Sequence, residues 1–153
     1  MSEQNSALVR TDDGKVLLPP AVEEARRRGQ AVIPMNADKK PLVEWKEFQT
    51  RNPTTAEIGE WVRHFGDQIR GWARITGHLA QVIVFDFDGE AVARIAAWGL
   101  QPHVRSGSGG LHVIFKHPGW PVKTCNSKSG KKHGEVYPGV DVRGDGGYSI
   151  IAG

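Results

Sequence analysis

Hydrophobic and polar positions along the chain recur with periods that predict short helices and short strands. Apolar side chains at Ile58, Trp61, Val62 and Phe65 are spaced for one helical stripe, which predicts a helix from Thr54 or Thr55 to Phe65. The remaining pattern predicts a helix over 21–28, a strand over 31–34, a buried strand over 81–88, a helix over 90–98, and strands over 111–116, 139–143 and 148–152.

The order of these elements indicates the fold class. The last two predicted strands flank a Gly-Asp-Gly-Gly sequence, which favours a tight hairpin between them. Helices and strands mixed in this order predict an α+β fold, or an α/β fold with antiparallel strands. A length of 153 residues fits one compact domain, so a single domain over residues 1–153 is expected.

Composition excludes several classes of protein. With 39% hydrophobic and 24% charged residues, the chain has an ordinary globular composition. The longest apolar runs, 82–85 and 95–98, are too short to cross a bilayer, and the polar N-terminus has no signal-peptide pattern. No membrane association and a cytoplasmic location are therefore expected. Cys125 is the single cysteine, which excludes an internal disulfide and a cysteine-rich zinc site.

Charge is distributed unevenly along the chain. Lys and Arg total 20 against 17 Asp and Glu, a mild excess, but residues 91–134 contain no carboxylate. The same stretch carries seven basic residues: Arg94, Arg105, Lys116, Lys123, Lys128, Lys131 and Lys132. This asymmetry favours a polyanionic partner such as nucleic acid or nucleotide phosphates. A solvated, basic and flexible loop over 120–134 is the alternative interpretation.

The strand over 81–88 ends in an Asp-x-Asp sequence. Alternate residues of a strand share a face, so Asp86 and Asp88 point the same way, about 7 Å apart along the backbone. Two carboxylates on an otherwise apolar strand are costly to desolvate unless a cation or a basic group compensates them. Oxygen ligands suit Mg²⁺ or Mn²⁺. The alternative is a strand that runs out into solvent at Asp86, followed by a turn.

A glycine- and serine-rich turn over 106–110 precedes the strand over 111–116. Glycine lets backbone N–H groups crowd around phosphate oxygens, and Ser106 and Ser108 add hydroxyl donors. His112 shares a strand face with Lys116, so it can contact a phosphate. The sequence is not a Walker A loop, and a plain hairpin turn is the alternative interpretation.

A third group of polar residues that could take part in chemistry lies near the end of the chain. Asp141 and Arg143 share a strand face, where the carboxylate can hold a metal while the guanidinium meets phosphates. They can equally pair with each other on an exposed strand. Asp145 is interpreted as a turn residue. Together, three acids, a serine- and histidine-containing loop and a basic segment favour metal-dependent nucleotidyl transfer at two cations about 4 Å apart.

Six segments in this order resemble the bifunctional DNA primase/polymerase N-terminal domains of the archaeo-eukaryotic primase superfamily, which occur in phages, plasmids and mobile elements. They are RRRGQAVIPMNADKKPLVEWKEFQT, TTAEIGEWV, GWARITG, VIVFDFDG, SGSGGLHVIFKHPG and GVDVRGDGGYSIIAG. The resemblance implies an RRM-like antiparallel or mixed catalytic sheet with an N-terminal α/β portion. It also implies that Asp86, Asp88 and Asp141 bind Mg²⁺ or Mn²⁺, that Ser108 and His112 contact the nucleotide, and that Arg143 makes a triphosphate or structural contact. Lys40 falls where the family often has a basic residue, and it is expected, like Ser106 of the turn, to contact the nucleotide.

The resulting hypothesis is a primase-polymerase that uses nucleoside triphosphates on a single-stranded DNA template. Members of this family commonly continue past the third acidic motif, so a helicase or a C-terminal partner subunit or domain is also expected. One alternative is a single-stranded DNA-binding replication-initiation subunit that needs a partner for synthesis, with Trp120 and Tyr137 stacking bases beside the basic stretch 123–132. A metal-dependent nuclease or a sugar-nucleotide transferase is a third, because Asp-x-Asp sequences occur there too.

Overall fold

The computed structural model describes residues 7–106, 109–125 and 138–153, in which three helices and nine strands form open antiparallel sheets. The predicted α+β class is therefore confirmed. Contacts divide the chain into two compact units, residues 1–75 with 148–153, and residues 76–147. The expectation of a single domain stays a prediction.

The first unit contains a three-stranded antiparallel sheet in the order β3-β4-β9 and a separate two-stranded ribbon of β1 and β2. Its strands are β1 (Val9–Arg10), β2 (Val16–Leu17), β3 (Val32–Met35), β4 (Gly71–Ile75) and β9 (Tyr148–Ala152), and its helices are α1 (Pro20–Arg27) and α2 (Thr55–Phe65). Short 3₁₀ turns lie at Lys46–Gln49 and Gly66–Gln68.

The core of the first unit forms around Trp72 on β4. Trp72 is fully buried with Val22 and Val32, and its indole Nε1–H donates to the carbonyl oxygen of Ala7 at 2.7 Å. Arg74, two residues along β4, is also buried, and its guanidinium donates to Ser149 Oγ at 3.3 Å. Burial lowers the pKa of Arg74, since the charged form loses its hydration.

A reciprocal cap defines the start of α2. The Glu57 backbone N–H donates to Thr54 Oγ1 at 3.1 Å, and the Thr54 backbone N–H donates to Glu57 Oε1 at 3.0 Å. Two otherwise unpaired donors of the first helical turn are thereby satisfied. The Arg51 guanidinium, helped by the Thr54 backbone N–H, lowers the pKa of Glu57 to about 2. The predicted helix start is confirmed.

The second unit is a four-stranded antiparallel sheet in the order β6-β7-β5-β8, with its first and third strands in the middle. This is the strand order of an RRM-like sheet. Its strands are β5 (Val82–Phe87), β6 (Val104–Arg105), β7 (Leu111–Lys116) and β8 (Val140–Arg143). A 3₁₀ turn at Gly89–Ala91 leads into α3 (Val92–Ala97).

One face of this sheet is apolar. Phe87, Val113 and Val140 lie on neighbouring strands and pack with Ala91 and Ile95 from the segment after β5. Each is at most 4% exposed. Because strand residues alternate between faces, the intervening positions of β5, β7 and β8 lie on the opposite face, where the polar residues are found.

The prediction of a hairpin between the last two strands is wrong. β8 pairs with β5, whereas β9 pairs with β4 in the other unit. The second edge of β8 is occupied, because Val142 and Cys125 exchange backbone hydrogen bonds of 2.8 and 2.9 Å. The start of the predicted loop over 120–134 is therefore paired to β8 as far as Cys125, and residues 126–134 lie outside the described residues.

Strand β4 is missing from the sequence prediction. All five residues of β4 are buried, so its sequence lacks the alternation of hydrophobic and polar residues that identifies a half-buried strand. Gly71 is required at its start, because a Cβ there would lie 2.8 Å from the Ala152 carbonyl oxygen of β9. Among the described residues, no helix has both the length and the apolar character needed to cross a bilayer.

The cap of α2 gives a stability prediction. Thr54→Ala removes the hydroxyl acceptor and should lower the free energy of unfolding by about 1 kcal/mol, measured by urea denaturation. Thr54→Ser keeps the acceptor and should stay close to the wild type. Equal losses in the two variants would contradict a capping role for the hydroxyl.

Candidate active site

Strand register brings three polar side chains into one row across the second sheet. Asp86 on the central strand β5 is paired with His112 of β7 on one side and with Asp141 of β8 on the other. Cross-strand partners point to the same face, so all three side chains project from the face opposite the apolar core. The sequence prediction that these residues converge is thus matched by the geometry.

Asp88 completes an acidic cluster with Asp86 and Asp141. One carboxylate oxygen from each of the three lies within 4.8 Å of the others. The side chains of Asp86 and Asp141 are 19% and 10% exposed, and Asp88 is half-buried. Like charges this close and this poorly hydrated repel strongly, so the cluster requires positive compensation.

Protein groups supply part of that compensation. Arg143 Nη2 donates to Asp141 Oδ2 at 3.2 Å, so the predicted alternative of an Asp141–Arg143 pair is also present. His112 Nε2 lies 3.4 Å from Asp86 Oδ1, but the two do not form a hydrogen bond of acceptable geometry. The Arg143 guanidinium thus brings one positive charge to the cluster.

Two buried polar atoms on this face have no hydrogen-bond partner among the described residues: Asp86 Oδ1 and His112 Nδ1. A buried acceptor without a partner is costly, and it marks a place where a ligand is expected. The donor set is made of carboxylate oxygens, which hard divalent cations prefer. The residues therefore fit a site for a hard divalent cation such as Mg²⁺ or Mn²⁺.

Gly110 provides the space that Asp88 occupies. A Cβ on Gly110 would overlap Asp88 Oδ1 and would lie 2.9 Å from Ser106 Oγ and 3.0 Å from the Phe87 carbonyl oxygen. The backbone bond from Ser106 N–H to the Gly110 carbonyl oxygen, at 2.8 Å, closes the turn around this contact. Ser106 is thereby placed beside the acidic cluster.

Two other predicted nucleotide contacts are not part of the second sheet as the structure describes it. Ser108 falls outside them. Lys40 is exposed and belongs to the first unit, in the turn after β3, where its backbone N–H donates to Asn36 Oδ1 at 3.0 Å. Lys40 is therefore not one of the residues that the second sheet brings together.

Asp145 has a structural role that the sequence interpretation as a turn residue missed. Its carboxylate accepts from the backbone N–H groups of His78 at 3.0 Å and Val122 at 2.8 Å, and it contacts the His117 ring at 3.2 Å. The available signal was the density of glycine around it, at Gly144, Gly146 and Gly147, which indicates close backbone approach.

Comparison with known families gives one match. A model described as bifunctional DNA primase/polymerase, N-terminal (Prim-Pol) matches residues 21–153, which include every element of the second unit and all three acids. No curated protein matches the chain.

The contact between Gly110 and Asp88 gives a testable prediction. Gly110→Ala should displace the Asp88 carboxylate and weaken Mn²⁺ binding by at least about tenfold, the effect of disturbing a ligand's support, measured by isothermal titration calorimetry. Gly59→Ala, on the open surface of α2, is the matched control and should leave Mn²⁺ affinity unchanged. Unchanged affinity in a folded Gly110→Ala variant would show that Asp88 is not a ligand.

Proposed function

Since the chain belongs to the bifunctional DNA primase/polymerase N-terminal family, we propose that it is a metal-dependent nucleotidyltransferase that makes or extends primers on single-stranded DNA. Membership assigns a primase/polymerase-type function in DNA replication, and it implies nucleotide and DNA substrates. The observation that carries the more specific proposal is the row of His112, Asp86 and Asp141 beside Asp88.

In this proposal the three carboxylates hold Mg²⁺ or Mn²⁺ in a two-metal site. The chemistry that divalent ions supply there is activation of an attacking 3′-hydroxyl and neutralisation of charge on the leaving pyrophosphate. The side chains contribute position: Asp86 lies on β5, Asp88 directly follows that strand, and Asp141 lies on the neighbouring strand β8. No covalent protein nucleophile is needed, because catalysis of this type depends on positioning and charge.

The remaining polar groups are assigned to the nucleotide. Arg143 uses one N–H on Asp141 and retains donors for phosphate oxygens, since a guanidinium carries five. His112 Nδ1 has no hydrogen-bond partner in the described part of the chain, and a phosphate oxygen would supply one. Ser106 lies in the turn next to Asp88. Ser108 is included for its place in the glycine- and serine-rich turn and for the family resemblance, and Lys40 for the resemblance alone. A helicase or C-terminal partner is likewise proposed from the resemblance, and the cytoplasmic location stays a prediction.

The acids are tested by nucleotide incorporation. The double variant Asp86→Asn/Asp88→Asn should lower incorporation of labelled nucleotide on a single-stranded template by at least about 100-fold, because charge stabilisation at the reacting phosphate is removed. Asp38→Asn changes an exposed carboxylate of the first unit and is the control for loss of negative charge. Incorporation by the double variant equal to that of the wild type would remove these acids from the mechanism.

His112 is tested by separating nucleotide binding from metal binding. His112→Ala should raise KM for the nucleoside triphosphate by about 10- to 100-fold, the usual effect of losing a hydrogen bond to a charged group. Mn²⁺ affinity should change far less, because the three carboxylates remain. His64→Ala, on the exposed surface of α2, is the control. A large loss of Mn²⁺ affinity with unchanged KM would instead assign His112 to the metal.

A further inference from the structure

Trp120 is the most exposed large hydrophobic residue among those described, with 66% of its surface in solvent. Its indole makes no hydrogen bond or ring contact with the described residues. Tryptophan is enriched at interfaces, because its ring joins a large apolar surface to a polar N–H. The backbone around Trp120 shows that this exposure is built into the structure.

His117 fixes the chain before Trp120. Its side chain is 2% exposed, its Nδ1 accepts from the Gly119 backbone N–H at 3.1 Å, and its Nε2 lies 3.2 Å from Asp145 Oδ1. Because Nδ1 accepts a hydrogen bond, the ring hydrogen resides on Nε2 and is donated to Asp145. Both ring nitrogens are therefore used to hold the segment that leads to Trp120.

Asp145 and Val122 fix the chain after Trp120. The Val122 N–H donates to Asp145 Oδ2 at 2.8 Å, and the Asp145 N–H donates to the Val122 carbonyl oxygen at 2.6 Å. Only Trp120 and Pro121 lie between the anchored residues Gly119 and Val122, and proline fixes its own φ angle. The backbone from which the indole projects is thus fixed before any partner binds.

Three glycines make this anchor possible. A Cβ on Gly77 would lie 2.6 Å from Asp145 Oδ1, and a Cβ on Gly147 would lie 2.5 Å from Thr124 Oγ1. A Cβ on Gly144 would overlap the Val122 carbonyl oxygen. Packing this close makes the segment rigid, and the side chain that this segment exposes is that of Trp120.

The charge around Trp120 indicates the chemistry of the partner. Lys116 and Lys123 are exposed on either side of it in the chain, inside the stretch 91–134 that has no carboxylate. The Asp145 carboxylate is engaged by His117 and two backbone N–H groups. An exposed aromatic ring between cations suits single-stranded nucleic acid, whose bases stack while its phosphates meet the cations.

We propose that Trp120 is a preorganised platform on which one base of a single-stranded nucleic acid stacks, separate from the acidic cluster. Its anchor Asp145 lies four residues beyond Asp141, on the order of 13 Å along an extended strand. The base therefore belongs to the bound strand rather than to the incoming nucleotide. This inference depends on the proposed function only where it identifies the bound strand as single-stranded DNA.

The test measures binding of fluorescein-labelled oligo(dT) by anisotropy at low salt. Trp120→Ala should weaken binding by about 5- to 150-fold, the range for one stacked base, whereas Trp120→Phe should retain most of the affinity. Trp120→Leu keeps an apolar side chain without a ring and should behave like alanine. Oligo(rU) and a duplex of equal length are parallel probes; weaker binding of the duplex is expected, and the two single strands separate a DNA from an RNA partner.

Trp98→Ala is the matched control, because Trp98 is the other exposed tryptophan of the second unit, and its removal should leave oligo(dT) affinity unchanged. Thermal melts confirm that each variant is folded. Equal oligo(dT) affinity in wild type and Trp120→Ala, or equal affinity in the leucine and phenylalanine variants, would overturn stacking at Trp120. Absence of synthesis by a wild type that still binds through Trp120 would reject the proposed function and leave this inference standing.

Discussion

Repulsion among three carboxylates is the constraint on which the candidate site depends. Asp86, Asp88 and Asp141 are held within 4.8 Å of one another although each would gain by separating. What holds them is strand register: β5 is paired on both edges, and a slip of one residue would turn Asp86 into the apolar core. Packing of Phe87 and Val140 on the opposite face therefore maintains the acidic cluster as well as the fold.

Glycine has the same structural use at both ends of the second sheet. At one end Gly110 leaves room for the Asp88 carboxylate, and at the other Gly144 leaves room for the Val122 carbonyl oxygen. In each case a polar group approaches the backbone more closely than a side chain would permit. Glycine at these two positions thus determines where oxygen atoms lie.

Prediction from sequence succeeded where the physical rule is local. The period of two along β5, continued by the extended backbone of Asp88, placed Asp86 and Asp88 on one face, and the capping residues placed α2. It failed where partners distant in the chain decide: β8 and β9 do not form a hairpin, because Cys125 occupies the edge of β8 and β4 offers a free edge to β9. No local rule gives strand order, so the predicted convergence of Asp141 with the other acids rested on taking the three motifs together and on the family pattern.

Two histidine–aspartate pairs in the second unit show how a structural pair differs from a candidate functional one. In the pair of His117 and Asp145, both ring nitrogens and both carboxylate oxygens have partners within the protein. In the pair of His112 and Asp86, His112 Nδ1 and Asp86 Oδ1 have none among the described residues. The sequence presents both histidines alike, on or beside β7. Because a buried polar atom must find a partner somewhere, the unsatisfied pair marks where a ligand is needed, and the satisfied pair marks a support.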